Sequence, residues 1–338
     1  MIYQNIDFFN TAEMVPATDG GEGVQLFRCP EKVWSQCNSG VQHTSGCTIG
    51  SEIRFVIEDD GEARLTLRSM SKPIERCIVY YGSIQSGWQT LVKYVHNSPT
   101  ELTFQVPHPE KLEAYSKAAG FPFSPRVVRI LLPDDGCKLA FLDVQGHVRP
   151  PRADEVPGKC LLFYGSSITH GSLACSQNGF FSAQVGRALR WDVQNQGHAG
   201  NCHIEPAMVE FLANKGDWDA MVAELGINII GSVEPEEYRQ RVQNFIQTIH
   251  SANPEKYLFM IDVFYSPNDF NADPRVVAYR QVMAEEVTHA ASPYVVYLNG
   301  LSILNGVEYL SADLVHPTLD GVNEIARNLI VRLRSYLG

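Results

Sequence analysis

Two hydrophobic grammars divide this chain near residue 150. In the first part, Ser51-Glu-Ile-Arg-Phe-Val-Ile57 and Ala63-Arg-Leu-Thr-Leu-Arg-Ser69 alternate polar and apolar positions, the two-residue period of a strand. Cys77-Ile-Val-Tyr-Tyr81 and Val127-Val-Arg-Ile-Leu-Leu132 are short apolar runs rich in β-branched and aromatic residues. Turn residues punctuate them at Asp59-Asp-Gly61, Asn97-Ser-Pro99 and Pro133-Asp-Asp-Gly136. Short strands parted by turns predict an all-β sandwich, jelly-roll-like, over residues 1–148, with one helix at 109–119. The stretch 145–158 is rich in Pro, Gly and charge, so 149–158 reads as a linker.

Over 159–338 strand and helix patterns alternate. Strands are predicted at 159–164, 191–195, 220–225, 257–265 and 294–298, and helices at 178–190, 236–250 and 274–291. The chain ends in a helix with Val322, Ile325, Ala326, Leu329, Ile330 and Leu333 on one side. This pattern predicts an α/β domain built on a doubly wound parallel five-stranded sheet. Ligands of such sheets sit outside the carboxyl ends of the strands, so the loops there are the places to seek chemistry.

Four segments fall at those places. Tyr164-Gly-Ser-Ser-Ile-Thr-His-Gly171 runs from a strand into a turn that exposes a serine beside backbone N–H groups. In Asn195-Gln-Gly-His-Ala-Gly-Asn201 a glycine N–H is open to a ligand. Glu224-Leu-Gly-Ile-Asn228 places a neutral amide donor at a strand end. In Asp313-Leu-Val-His-Pro317 the three-residue offset lets a carboxylate reach the imidazole Nδ1–H and leaves Nε2 to take a serine proton.

The order Ser, Gly, Asn, Asp-x-x-His on this α/β pattern resembles the SGNH (GDSL) hydrolase superfamily over roughly residues 159–338. The resemblance implies Ser167 as nucleophile and Asp313 and His316 as its triad partners. It further implies that Gly200, Asn228 and the Ser167 N–H form the oxyanion hole, without metal or organic cofactor. Two positions depart from the common pattern: Ser166 replaces the Gly-Asp-Ser aspartate, and Ile229 replaces the last residue of the Gly-x-Asn-Asp block. The Gly-Ser-Ser-Ile-Thr-His-Gly form resembles a two-domain branch with an N-terminal β-sandwich. That implies a serine esterase acting on a small ester, an acetyl group on a carbohydrate being the analogy. The branch also includes acyltransferases, and a carbohydrate-binding protein with an inactive hydrolase domain is the reading from another class.

Composition narrows the partners. A hydrophobic share of 44% supports a sizeable core. A net charge of -11 disfavours nucleic acid and anionic membrane surfaces as partners, and the resemblance implies a small-molecule or carbohydrate ester instead. The start shows no basic and apolar export signal, and the eight cysteines are irregularly spaced with no CxxC pair. Reduced, mostly buried thiols in a cytoplasmic protein are therefore expected.

Other residues compete for roles. His198, Cys202, His203 and Glu205 make a candidate metal cluster, but the spacing matches no common zinc pattern and pocket lining explains them. His170 and Cys175 follow the nucleophile turn, where either substrate contact or local packing accounts for them. Trp34, Trp88, Tyr80 and Tyr81 could form a sugar platform, yet aromatic residues of a β domain are expected in its core. Asp320, rather than Asp313, is expected to cap the final helix.

Overall fold

The computed structural model describes residues 1–133 and 136–338. Asp134 and Asp135, in the turn expected over 133–136, lie outside the described residues. The N-terminal part folds into two antiparallel sheets. In one, Glu52–Ile57 lies between Ile6–Phe9 and Val127–Leu131, with Ile74–Tyr81 beyond the latter. In the other, Ala63–Ser69 lies between Thr100–Phe104 and Leu139–Gln145. One phase of each alternating strand meets between the sheets, where Ile53, Phe55, Leu65, Leu67, Val128 and Ile130 share a buried cluster. The predicted sandwich is present, and the predicted helix runs over Pro109–Ala119.

The other phase of the first sheet is buried too. Glu52, Arg54 and Tyr80 lose their solvent exposure because the C-terminal domain covers them. Arg54 forks onto Asp192 at 2.6 and 2.8 Å, and Glu52 accepts from Arg54 at 2.8 Å and from Arg129 at 2.6 and 2.8 Å. Burying such charges is tolerable only because each guanidinium meets a carboxylate.

The C-terminal sheet contains β1 (Cys160–Gly165), β2 (Asp192–Gly197), β3 (Ala220–Glu224), β4 (Tyr257–Ile261) and β5 (Val295–Leu298). All pairings are parallel and the order is β2-β1-β3-β4-β5. Leu162, Tyr164, Met221 and Met260 face one buried cluster, while Leu161, Phe163, Val222 and Phe259 face another. Both faces are covered, by helices α1 (Phe181–Leu189), α2 (Pro206–Asn214), α3 (Pro235–Ala252), α4 (Pro274–His289) and α5 (Leu319–Leu337), which explains the near-continuous apolar strands. Strand order reverses at β1, so a crevice opens at its carboxyl end between the loops that follow β2 and β3.

Several elements differ from expectation. The strand predicted over 257–265 stops at Ile261, because buried Asp262 turns to accept the Gly300 N–H at 2.6 Å and the Tyr297 hydroxyl. Helix α2 and the short helices Glu31–Trp34 and Ser39–Ser45 escaped prediction. Val33 and Val41 of the short helices pack in the same cluster as Met208 and Leu212 of α2, so one core crosses the domain boundary. The linker segment begins as a strand, with Arg149 opposite Val56, and Arg149 forks onto Glu155 at 2.7 Å. Trp88 corrects the core assignment: it is 94% exposed on a loop, whereas Tyr80 and Tyr81 are buried and Trp34 stacks half-buried on Phe27. Among the described residues no helix is long and apolar enough to cross a membrane.

Candidate active site

The first segment forms the turn at the end of β1. The Ser166 hydroxyl accepts the Ile168 N–H at 3.1 Å and so caps the single helical turn Ser167–His170. Ser167 is the first residue of that turn, where an N–H has no partner within the helix. Gly165 has no room for a side chain, since a Cβ there would lie 2.4 Å from Thr169 Oγ1.

The turn just ahead of the last helix delivers the imidazole. His316 Nε2 lies 2.8 Å from Ser167 Oγ, and His316 Nδ1 lies 2.7 Å from Asp313 Oδ2. With Nδ1–H donating to the carboxylate, Nε2 faces the hydroxyl as an acceptor. Asp313 Oδ1 accepts the N–H groups of Val315 and His316 at 2.9 Å each and the Ser311 hydroxyl at 2.7 Å. Desolvation pushes this carboxyl upward, but the hydrogen bonds from His316, Val315 and Ser311 outweigh it and hold Asp313 well below the usual carboxylate range. Asp313 is thus an anion locked on the turn. The cap of α5 is Thr318, which accepts the Gly321 N–H at 3.1 Å, not Asp320, which lies inside the first turn.

Gly200 and Asn228 sit on the loops after β2 and β3, on either side of β1. Gly200 has a left-handed φ of 70°, with open space where a Cβ would be, so backbone conformation rather than crowding requires glycine there. Asn228 Oδ1 accepts the Cys202 N–H at 3.1 Å. That bond joins the two loops and leaves the Asn228 Nδ2 donors free of this contact.

The N-terminal part buttresses the Gly200 loop from behind. Buried Arg28 donates to the carbonyl oxygens of Asn195 and Gly197 at 2.8 and 2.9 Å, and of Cys47 and Thr44 at 3.1 and 2.6 Å. Burial pushes its pKa down to about 10, still cationic at neutral pH. The Asn38 amide donates to the Asn201 carbonyl at 3.2 Å and to Glu205 at 2.6 Å. No sequence signal marked these residues, because Arg28 and Asn38 belong to no motif and meet the loop only through the fold.

Glu224 is the second feature missed. It ends β3 beneath the nucleophile turn, fully buried, and its Oε2 accepts the Ser166 N–H at 2.9 Å, the Ser166 hydroxyl at 2.7 Å and the Thr169 hydroxyl at 3.0 Å. Burial pushes its pKa up to about 7, against the pull of the hydrogen bonds from Ser166 and Thr169. A signal existed: where the common motif has an aspartate this chain has Ser166, and the neighbouring strand ends in a glutamate inside an apolar run.

The candidate metal set is dispersed into packing roles. His198 Nδ1 pairs with Thr44 Oγ1 at 2.8 Å and Glu205 accepts from Asn38. Among the described residues no three His, Cys, Asp or Glu side chains converge as metal ligands would. His170 is a local structural histidine, its Nδ1–H donating to the Gly197 carbonyl at 2.8 Å. Burial and the nearby Arg28 push its pKa down to about 3, so the ring is neutral. Cys175 is exposed, while Cys202 and five other thiols are buried.

A Ser–His–Asp relay at the switch point of a parallel α/β sheet defines the class of ester and acyl hydrolases. Residues 163–322 match the family described as GDSL-like Lipase/Acylhydrolase, so the C-terminal domain is of that type, preceded here by a β-sandwich. The chain is an esterase of this class. Solved structures share the two-domain fold at low identity. The salicylyl-acyltransferase SsfX3 of a tetracycline biosynthetic pathway is 16% identical with a TM-score of 0.79, over 98% of this chain and 95% of its own. A GDSL-like lipase structure from Bacteroides ovatus is 17% identical, with a TM-score of 0.65 over 98% of each chain. A family two carbohydrate esterase from Cellvibrio japonicus is 12% identical, with a TM-score of 0.63 over 99% and 96%. No curated protein matches the chain.

Proposed function

We propose that this protein is a serine esterase for a small acyl ester, an acetyl group on a carbohydrate. The observation that carries the reading is the unbroken relay of Ser167 Oγ, His316 and Asp313 at 2.8 and 2.7 Å. In this reading His316 takes the Ser167 proton as the oxygen attacks the ester carbonyl. The Ser167 and Gly200 N–H groups and the Asn228 amide stabilise the oxyanion. His316 then protonates the leaving alcohol, and water attacks the acyl-enzyme in the second half-reaction. The acetyl and carbohydrate assignments draw support from family two carbohydrate esterases of the same two-domain fold.

The same residues serve acyl transfer if an alcohol replaces water, the activity named for one structural neighbour. Hydrolysis of p-nitrophenyl esters from acetyl to octanoyl, by wild type and Ser167→Ala in parallel, tests the proposal. Turnover confined to short chains and reduced on the order of 10⁶-fold in the variant is expected. Equal turnover in both proteins overturns it, and acyl transfer outrunning hydrolysis when an alcohol is added selects the second reading.

A further inference from the structure

β2 is the edge strand of the parallel sheet, so its outer side has no further strand to supply hydrogen bonds. The β-sandwich supplies them instead. The Asn195 carbonyl accepts from Arg28 at 2.8 Å and from Asn10 at 2.9 Å, and the Gly197 carbonyl accepts from Arg28 at 2.9 Å. Between them, the Gln196 side chain donates to the Asn10 side chain at 2.9 Å and to the Arg28 carbonyl at 3.2 Å. One residue further on, His198 Nδ1 pairs with the Thr44 hydroxyl at 2.8 Å. From Asn195 to His198, every residue that leads into the Gly200 loop is held by the other domain.

The same residues hold the nucleophile turn. The Asn195 amide donates to the Thr169 carbonyl at 2.7 Å, and its Oδ1 accepts the Gly197 N–H at 2.8 Å. The Gly197 carbonyl accepts the His170 ring N–H at 2.8 Å. Thr169 and His170 belong to the single helical turn that Ser167 begins. The packing leaves no slack: a Cβ on Gly197 would lie 2.3 Å from the His170 nitrogen, and one on Gly50 of the sandwich 2.4 Å from Asn195 Cβ. The Ser167 turn and the Gly200 loop thus hang from one knot, which Arg28 closes from the sandwich side. Arg28 is 1% exposed, and among the described residues its guanidinium meets four carbonyl oxygens and no carboxylate. A buried cation is a poor source of stability compared with well-packed apolar side chains. What it contributes is position, because one rigid planar fork fixes oxygens of both domains at once.

Building on the esterase reading of the site, on which this rests, we propose that the β-sandwich is part of the catalytic apparatus, with Arg28 and Thr44 as positioning residues that set the Gly200 N–H against Ser167. Both are buried and act through the loop. They govern the placement of an oxyanion donor relative to the nucleophile, which matters most when charge develops on the carbonyl oxygen. Disturbing them therefore lowers kcat rather than substrate binding.

Steady-state hydrolysis of p-nitrophenyl acetate by the full-length protein, below the onset of unfolding of each variant, tests this. Arg28→Lys keeps the charge and the aliphatic stem but offers three donors to four oxygens. Its kcat per folded molecule is expected to fall roughly 10–100-fold, with KM within about twofold of wild type. Thr44→Val removes only the hydroxyl that holds His198, and should lower kcat about 10-fold; it carries the test alone if Arg28→Lys does not fold. Inhibition by trifluoroacetophenone, whose carbonyl takes Ser167 Oγ and leaves an oxyanion in the hole, should weaken by the same factor as kcat in each variant. A purely structural role predicts less folded protein with kcat per folded molecule intact. That result, or a loss confined to KM, overturns the proposal while an inactive Ser167→Ala leaves the esterase reading standing. Turnover retained in Ser167→Ala overturns the esterase reading itself.

Discussion

Glu224 Oε2 lies 2.9 Å from the nitrogen of Ser166 and 2.7 Å from its hydroxyl, so a carboxylate on β3 grips the residue immediately before the candidate nucleophile on β1. The grip makes stability depend on pH in a definite direction. The Glu224 carboxyl has an ordinary value of 4.5 and is pushed up to about 7 by burial. The folded chain therefore holds a proton there that the unfolded chain releases between those values. Its stabilising contribution is complete below pH 4.5 and is lost as pH rises through 7. Relative to Glu224→Gln, wild type should lose ~3 kcal/mol of stability across that window. Urea unfolding of both proteins at several pH values checks it, and a difference independent of pH refutes the raised carboxyl.

Asp313 holds the ring of His316 and is itself held by two backbone N–H groups. Asp313→Asn presents an amide N–H or a weaker acceptor to Nδ1 and so favours the wrong tautomer. A fall in kcat of about 10²–10⁴-fold with little change in KM is expected for p-nitrophenyl acetate. Steady-state kinetics that leave kcat intact would remove Asp313 from the relay.

Asn228 carries the neutral donor of the proposed oxyanion hole. Asn228→Ala should lower kcat roughly 10²–10³-fold, since the lost interaction matters most when charge develops on the carbonyl oxygen. The same change frees the Cys202 N–H, so thermal unfolding should be compared alongside. A purely structural role predicts loss of stability with kcat retained in the folded fraction.

Arg54 and Asp192 join the domains through a two-bond fork whose side chains are 2% and 9% exposed. Removing one member strands the other charge in the interface. Arg54→Ala is expected to cost about 3–5 kcal/mol in chemical denaturation. Asp192→Ala should behave alike, and the double variant should cost less than the sum of the two. Additive losses would mean that the fork contributes nothing of its own.

The strands of the parallel sheet and the amphipathic face of α5 were legible because local periodicity reports burial directly. Helix α2 was missed although Met208, Val209, Leu212 and Ala213 have helical spacing and Pro206 stands at its first position. The charged phase of Glu52–Ile57 looked like an ordinary solvent face, and only its contact with Asp192 shows that it is an interface. Trp88 failed as a core residue for the converse reason: an aromatic side chain in a loop has no periodicity to say which way it faces.

The candidate site divides in the same way. Ser167, Gly200, Asn228, Asp313 and His316 stand on short motifs at predicted strand and helix ends, and the structure brings Ser167, His316 and Asp313 within hydrogen-bonding distance. Residue type, local spacing and alternation were determined by the sequence alone, because they depend on neighbours within a few positions. The Arg28 clasp on Gly197, the Glu224 carboxyl under Ser166 and the Arg54–Asp192 fork between the domains were decided only by the tertiary structure. Each depends on burial and on partners distant along the chain, and the energy of a charge is set by what surrounds it, not by what precedes it in the sequence.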